Sequence, residues 1–498
     1  MTWYQDLEDS KAHDEAAIIV QEFAKHDIAI GGVATERGGV SFMYREGHLL
    51  ARELYLEHIR ELLGRRGRAV VIKRVIRDVV LLKVSFSDEG DGKTAKSSDS
   101  APEGNNGKPG GNNKPSEGND QIAKSHQPAL LRFLGEIDAE FGPGIATPDH
   151  VVTTAVVPAG EPSGCPATEP QEVYDPEPRP PACRGNGGGR VRIYVADTGI
   201  VENTVSSCPW LAGVTGDNDL SVAADGTIQP YGGHGTFVAG VIRCMAPGAE
   251  IVVANVFNIA GSGLESDFVP KLNAGFGYGA EIFHVTVASP TRGNLPLMAF
   301  EAWMQDLRQH KGVVCVVPAG NNGSRLPCWP AAFPEMVSVG ALGADWRSRA
   351  YFSNYGSSVD VYAPGQDLVN AFATGSFTCQ VAPFAGQIRT FSGMAQWSGT
   401  SFSTPIVTGL IAARMARCGE SGREAAAALL AMARAQRIPG VGPVLLPGCD
   451  EDGKGRGDDC GGHGRCGDCG SGCSGRGCGG SGRGCGGGRC DGCGRAAS

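Results

Sequence analysis

The sequence lacks the long apolar runs and the excess of basic charge that would indicate a membrane or a nucleic acid as a partner. No uninterrupted apolar segment reaches the roughly 18 residues that a membrane-spanning helix needs. The 498 residues carry 53 acidic and 44 basic side chains, and a net charge of −9 gives no attraction to a polyanion. We therefore expect no membrane and no nucleic acid among its partners.

The N-terminus also lacks the basic and apolar segments of a secretory signal. Residues 1–9 are acidic, so we predict a cytoplasmic protein, with export by a leaderless route left open. Cysteine and glycine, by contrast, are abundant, at 17 and 75 residues. Many of both lie in residues 448–498, where glycine spacing provides no hydrophobic face. We predict a disordered tail there, with metal binding or redox crosslinking through its cysteines as alternatives.

Three short motifs contain the residue types of nucleophilic catalysis. Ser401 follows a Gly-Thr turn and precedes an apolar run, which predicts a hydroxyl at the start of a buried helix. The unpaired N–H groups and the helix dipole at that end favour the negative charge that develops when a hydroxyl attacks a carbonyl. His234 lies between two glycines, and Asp197 follows the apolar strand predicted at residues 191–196. The order Asp, His, Ser is one in which hydrolytic triads occur.

At these residues the sequence resembles the subtilisin-like serine proteases. The Asp-Thr-Gly at Asp197, the His-Gly-Thr at His234 and the Gly-Thr-Ser-x-Ser-Thr-Pro around Ser401 appear in the order of that family. An apolar strand ending in Ala-Gly-Asn at Asn321 matches the segment that carries the family's oxyanion-hole asparagine. The resemblance covers roughly residues 188–447. It implies that Ser401 attacks the scissile carbonyl, His234 transfers the proton, Asp197 orients the imidazole and Asn321 binds the oxyanion.

The resemblance therefore implies a serine endopeptidase acting on protein or peptide substrates. The alternative is a latent or inactive protein that uses the same fold to bind peptides. From residue 191 to residue 445 strands are predicted to alternate with helices, and the apolar segment at 237–243 is predicted as one of the strands. This alternation indicates a mostly parallel sheet with helices on both faces, an α/β fold of the subtilisin-like type.

Departures from the family's motifs concern the substrate pocket. The segment before Pro290 should pair with an extended substrate backbone and line one pocket wall. Cys328 takes the place of a glycine that commonly forms the pocket floor in the family, so we expect a shallow pocket and small or medium apolar substrate side chains. The implied substrate-binding residues are Thr286, Val287, Ala288, Pro318, Ala319, Gly320 and Cys328.

No cofactor is expected. The segment between His234 and Gly248 is too short for the calcium-binding loop that relatives often insert there. Residues 217–219, Asp-Asn-Asp, are interpreted as a polar surface turn, with weak calcium binding as the alternative. We predict that no tightly bound calcium is required.

The N-terminal part has a pattern of its own. Residues 37–157 predict the order β-α-β-β-α-β, with a disordered insertion at 88–127. That order resembles the family's inhibitory propeptide, and an unrelated small α+β regulatory domain is the alternative. Residues 1–36 form an N-terminal extension with a helix over 15–25. A Pro- and Gly-rich linker at 158–189, suited to proteolytic processing or to plain spacing, leads to a catalytic domain at 190–447. We expect the N-terminal domain to act as the protein's own inhibitor.

Overall fold

The computed structural model describes Trp3 and residues 10–35, 39–87, 128–154, 168–173, 177–180, 190–380 and 383–447. The predicted insertion at 88–127, most of the linker at 158–189 and the tail at 448–498 lie outside these described residues. Within the described ranges, no helix is both long and apolar enough to cross a membrane.

Residues 30–154, here called the N-terminal subdomain, form the predicted β-α-β-β-α-β unit with one additional strand at its start. A helix precedes it in the chain. The elements are α1 (Ser10–Ala24), β1 (Ile30–Ala34), β2 (Val40–Arg52), α2 (Leu56–Leu63), β3 (Gly67–Ile76), β4 (Val79–Phe86), α3 (Ala129–Phe141) and β5 (Ala146–Thr153). The strands are antiparallel in the order β5-β2-β4-β3, and β1 pairs with β2.

The main subdomain, residues 190–447, is built on a seven-stranded parallel sheet. The strands of this subdomain are β6 (Arg192–Asp197), β7 (Thr215–Gly216), β8 (Thr227–Ile228), β9 (Glu250–Asn255), β10 (Ser262–Leu264), β11 (Ile282–Val285), β12 (Val314–Pro318), β13 (Met336–Leu342), β14 (Val361–Pro364), β15 (Leu368–Thr378) and β16 (Ile388–Trp397). The parallel sheet has the order β14-β13-β12-β11-β6-β9-β7, and β16-β15-β8 form a smaller sheet. The predicted α/β fold class is confirmed.

Helices cover both faces of the parallel sheet. They are α4 (Glu202–Ser207), α5 (His234–Met245), α6 (Glu265–Tyr278), α7 (Met298–Gln309), α8 (Thr400–Cys418) and α9 (Gly422–Ala435). Because successive side chains of a strand point to opposite faces, Ile193 packs with α5 and α8 in one core, whereas Tyr194 packs with α6 and α7 in another. The prediction of a strand at 237–243 was wrong, because this segment forms the middle of α5, a helix buried at every residue except Arg243. A helix enclosed on all sides shows the same continuous apolar run as a buried strand, so the sequence pattern could not separate the two.

Helices α6 and α7 are packed between two sheets. On their other side lies the sheet of the N-terminal subdomain, whose Leu50, Leu81 and Val152 belong to the same apolar core as Phe268 and Phe300. The opposite face of that N-terminal sheet is covered by its own helices α2 and α3. The N-terminal sheet is thus buried on both faces, one of them by the main subdomain.

Candidate active site

Ser401 lies at the start of a helix, as the sequence predicts. It is the second residue of α8, and the N–H of Gly399 just before the helix donates to the Gly365 carbonyl at 2.8 Å. The first N–H groups of a helix have no intrahelical acceptor, so the backbone N–H of Ser401 is free to bind an anion. The serine side chain is 3% exposed and lines a cavity together with His234.

His234 and Asp197 form a buried hydrogen-bonded pair. His234 is the first residue of α5, and its Nδ1 lies 2.8 Å and 3.0 Å from the two carboxylate oxygens of Asp197, at the end of β6. Burial alone would raise the pKa of Asp197, but the charge and hydrogen bond of His234 and the N–H of Thr198 together hold that pKa below its ordinary value. An ionised carboxylate there fixes the proton on Nδ1 and leaves Nε2 as the basic nitrogen.

Glycine at position 235 allows the histidine helix to approach the aspartate. A Cβ on Gly235 would lie 2.3 Å from the Gly199 carbonyl oxygen and 3.2 Å from Oδ1 of Asp197. Both distances are shorter than ordinary contacts, so any side chain there would push α5 away from β6. The two motifs therefore fit together only with glycine at this position.

Asp219 is a positioning residue that the sequence did not reveal. It was interpreted as part of a surface turn, yet it is 1% exposed. Its carboxylate accepts hydrogen bonds from the Thr198 hydroxyl at 3.0 Å and from the N–H of Gly233 at 2.8 Å. It thereby links the residue after Asp197 to the residue before His234. Only its position between the two motifs could have suggested this function.

The amide of Asn321 is oriented by the residue before the serine. Its Oδ1 accepts hydrogen bonds from the backbone N–H of Thr400 at 2.8 Å and from the Thr400 hydroxyl at 2.9 Å. Since the oxygen is occupied in this way, the Nδ2 group is the end available to donate to a substrate. The side chain is 2% exposed, so this donor operates in a largely water-excluded site.

Aromatic rings enclose the histidine. The ring centroid of His234 lies 5.1 Å from that of Phe402 and 5.4 Å from that of Trp397, the latter in an edge-to-face arrangement. Phe237, on the same helix as His234, packs on Phe402, with the ring centroids 4.6 Å apart. The rings fix the imidazole and reduce access of water to it.

Comparison with known proteins agrees with this geometry. The model of the subtilase family matches residues 188–442, which is half of the chain. The chain belongs to the subtilase family. It is 30% identical to thermitase of Thermoactinomyces vulgaris over 52% of this chain and 86% of that protein. It is 29% identical to subtilisin Savinase of Lederbergia lenta over 46% of this chain and 77% of that protein.

A solved structure of a cold adapted subtilisin-like serine proteinase also matches this subtilase. The identity is 24%, the TM-score is 0.40, and the match covers 53% of this chain and 91% of that one. Family membership and the homologues identify this subtilase as a serine-type endopeptidase.

The last strand of the N-terminal subdomain lies in the cleft of this subtilase. β5 pairs antiparallel with β10, with Thr153 opposite Ser262 and Val151 opposite Leu264. On the other side of β5, the N–H of Ala288 donates to the Thr153 carbonyl at 3.3 Å. β5 is therefore inserted between two segments of the main subdomain, as an extended peptide would be.

The docked strand leads to the catalytic residues. After Thr153, the N–H of Thr154 donates to the Gly261 carbonyl at 2.9 Å. Thr154 lines the same cavity as His234 and Ser401. On the far side of the segment 155–167, Thr168 lines that cavity too, and its carbonyl accepts from the indole of Trp397. Thr154 and Thr168 therefore both lie at the cavity that contains Ser401.

The predicted pocket residues divide into two groups. Ala288, Gly320 and Cys328 lie together: Cys328 packs on Ala288, and its Sγ is 3.2 Å from the place a Cβ of Gly320 would take. The structure differs from the prediction for the side chains of Thr286 and Val287. Thr286 donates to the Ala196 carbonyl at 2.9 Å, and Val287 packs in the core shared with α6 and α7, because protein covers both faces of this segment.

The remaining predicted pocket residues lie between the sheet and the site. Pro318 ends β12 and is buried. Ala319 is held by its backbone, whose N–H donates to the Val339 carbonyl at 2.9 Å and whose carbonyl accepts from the Asn354 amide at 2.9 Å. Their observed contacts position Gly320 and Asn321 and are made through the backbone. Among the described residues, no group of three or more His, Cys, Asp or Glu side chains is arranged to hold a metal ion.

Proposed function

We propose that this subtilase cleaves peptide bonds with Ser401, His234, Asp197 and Asn321, and that its own N-terminal subdomain keeps it inactive. The observation that carries the catalytic assignment is the convergence of four separate segments on one buried site. In this mechanism the Ser401 hydroxyl attacks the scissile carbonyl and passes its proton to Nε2 of His234. Nδ2 of Asn321 and the N–H of Ser401 bind the resulting oxyanion.

The second half of the reaction uses the same groups in reverse. The imidazolium, stabilised by Asp197, donates its proton to the leaving amine, and a water activated by His234 then hydrolyses the acyl-enzyme. The oxyanion donors act again on the second tetrahedral intermediate.

Inhibition by the N-terminal subdomain is supported by the docked strand. β5 uses the backbone groups of β10 and Ala288 that an extended substrate would need, so the two compete for one place. Charge complementarity supports the same arrangement. Arg77 pairs with Asp306 of α7 at 2.7 Å, and Lys73 pairs with Asp267 of α6.

We place a self-cleavage site within residues 155–167. The two described residues that flank this segment, Thr154 and Thr168, both line the cavity of Ser401, which supports cleavage between them. Ala155 follows Thr154 directly in the sequence, and its small side chain suits a shallow pocket.

Intact mass of the wild type beside Ser401→Ala tests this function. We expect the wild-type chain to be cut within 155–167 and the variant to stay whole. A serine-reactive fluorophosphonate should label the wild type, and the label should be absent from the variant. If a wild type from which the N-terminal subdomain has been removed is not labelled, the enzyme assignment is wrong and the fold serves to bind peptides.

The pocket beside Asn321 should select small side chains. Cys328 packs on Ala288 and its Sγ occupies the space next to Gly320, which leaves little volume for a substrate side chain. We therefore propose alanine-sized residues on the N-terminal side of the cleaved bond.

Cys328→Gly should raise kcat/KM for a peptide with leucine or phenylalanine at that position, relative to alanine, by at least about tenfold. Cys208→Ser, which changes a free and only partly buried thiol, is the matched control and should leave the ratio unchanged. A wild type that already prefers phenylalanine would contradict the proposal.

A further inference from the structure

The helix that precedes the N-terminal subdomain also reaches the catalytic cavity. Ile18 and Ile19 of α1 line the same cavity as His234 and Ser401. Neither the pairing of β5 with β10 nor the β-α-β-β-α-β unit requires this helix. Its place over the nucleophile therefore needs an explanation of its own.

One face of α1 is fixed across the junction between the two subdomains. Ala16, Ile19 and Phe23 are buried in an apolar cluster with Val151 of the docked strand and with Leu264 of β10. The helix thus packs on the docked strand and on the strand that receives it. Ile19 and Phe23 are only 4% and 6% exposed. Burial of these two large apolar side chains stabilises the helix in this position.

A second segment that lines the cavity, at Thr168 and Glu169, is also anchored to the main subdomain. The Glu169 carboxylate accepts a hydrogen bond from the N–H of Gln380 at 2.6 Å, and Gln171 pairs with Gln396 of β16 in both directions. Residues 168–171 are therefore anchored to the main subdomain beside Ser401. The cavity is lined both by α1 and by residues of this segment.

We propose that α1 is a second closure of the catalytic cleft, separate from the docked strand, so that cutting the 155–167 segment does not by itself give access to Ser401. This inference rests on the proposed function. A cut there leaves every hydrogen bond between β5 and β10 in place and leaves the apolar contacts of α1 intact. Access then requires α1 to leave the cavity.

Labelling kinetics of the full chain with a small fluorophosphonate test this closure. Ile18→Glu places a charge in the cavity, where it would be costly to bury, and so favours displacement of α1. We expect Ser401 of this variant to be labelled at least about tenfold faster than Ser401 of the wild type. The difference should appear in both the uncut and the cut chain, and intact mass shows which of the two is present.

Two further variants keep the comparison clear. Gln21→Glu adds the same charge on an exposed position of α1 and should be labelled at the wild-type rate. Ile18→Ala removes apolar contact without adding charge, and it should also raise the rate at which Ser401 is labelled. It replaces Ile18→Glu in the comparison if that variant lowers the Tm of the chain. A background chain carrying Ser401→Ala shows that the label is on the nucleophile.

Equal labelling rates for the wild type and both Ile18 variants would overturn the closure and leave the enzyme assignment standing. A wild type that is labelled, before and after cutting, as fast as a chain from which α1 has been removed would overturn it as well. The absence of label from every variant would overturn the closure together with the proposed function.

Discussion

In the proposed mechanism, catalysis depends on Asn321, a side chain whose orientation is set by Thr400. Because Thr400 occupies its Oδ1 through two hydrogen bonds, only the Nδ2 end can face an oxyanion. We expect Asn321→Ala to lower kcat by about 100- to 1000-fold with a much smaller change in KM, since the donor acts mainly in the transition state. Steady-state kinetics on an alanine-containing peptide would measure this.

Thr400→Val is the partner variant for that test. It removes the hydroxyl that donates to Asn321 but keeps the backbone N–H, so kcat should fall by less than in Asn321→Ala. An Asn321→Ala enzyme with unchanged kcat would show that the oxyanion is bound elsewhere.

Single residues were predictable where a local motif carries the chemistry. Asp197, His234, Ser401 and Asn321 could be named because each lies in a short segment whose neighbours are glycines and apolar residues. Asp219 could not, because its burial depends on Thr198 and Gly233 converging on it from two segments. The orientation of such a side chain is decided by tertiary contacts and not by its neighbours in sequence.

At the scale of elements, β5 is held in the cleft by backbone hydrogen bonds. Thr154→Pro removes the N–H that donates to the Gly261 carbonyl and should speed release of the cut N-terminal fragment by about tenfold. Size-exclusion chromatography of the cut chain at successive times measures the release. Thr154→Ser keeps both the N–H and the hydroxyl, so its cut fragment should be released at the wild-type rate. Equal release rates for the serine and proline variants would show that this hydrogen bond does not hold β5 in place.

The elements themselves were largely predictable, but their partners were not. Alternation in β2–β5 and the helical spacing of α2 and α3 are local patterns, and the structure confirms the unit that they predict. A helix at the N-terminus was also predicted, without any indication of where it packs. Its neighbours Val151 and Leu264 are more than 100 residues away in the sequence, so no local pattern could indicate them.

Across the whole molecule, a buried acid makes the junction between the subdomains sensitive to pH. Asp149 of β5 accepts hydrogen bonds from the N–H and hydroxyl of Ser266, at the start of α6. Burial, with added repulsion from Glu265 and Asp267, raises the pKa of Asp149 from 3.8 to about 7. The docked state therefore holds a proton that the free subdomain releases, and docking weakens as pH rises from about 4 to about 7.

We expect the fraction of released N-terminal fragment in the cut chain to increase over that range and to level off above it. Chromatography at a series of pH values measures the fraction. Asp149→Asn keeps the shape of the side chain without its titration, so its release should vary much less with pH. A wild type whose release falls as pH rises would show that another group controls the junction.

In the activation proposed above, the burial of the N-terminal sheet on both faces decides whether the step can be reversed. When the N-terminal subdomain departs, the face that carries Leu50, Leu81 and Val152 loses the cover of Phe268 and Phe300 and meets water. A small sheet with one bare apolar face opens more readily and becomes a substrate for the enzyme it has just left. Degradation of the released fragment would prevent it from docking again, so each molecule would pass from latent to active only once.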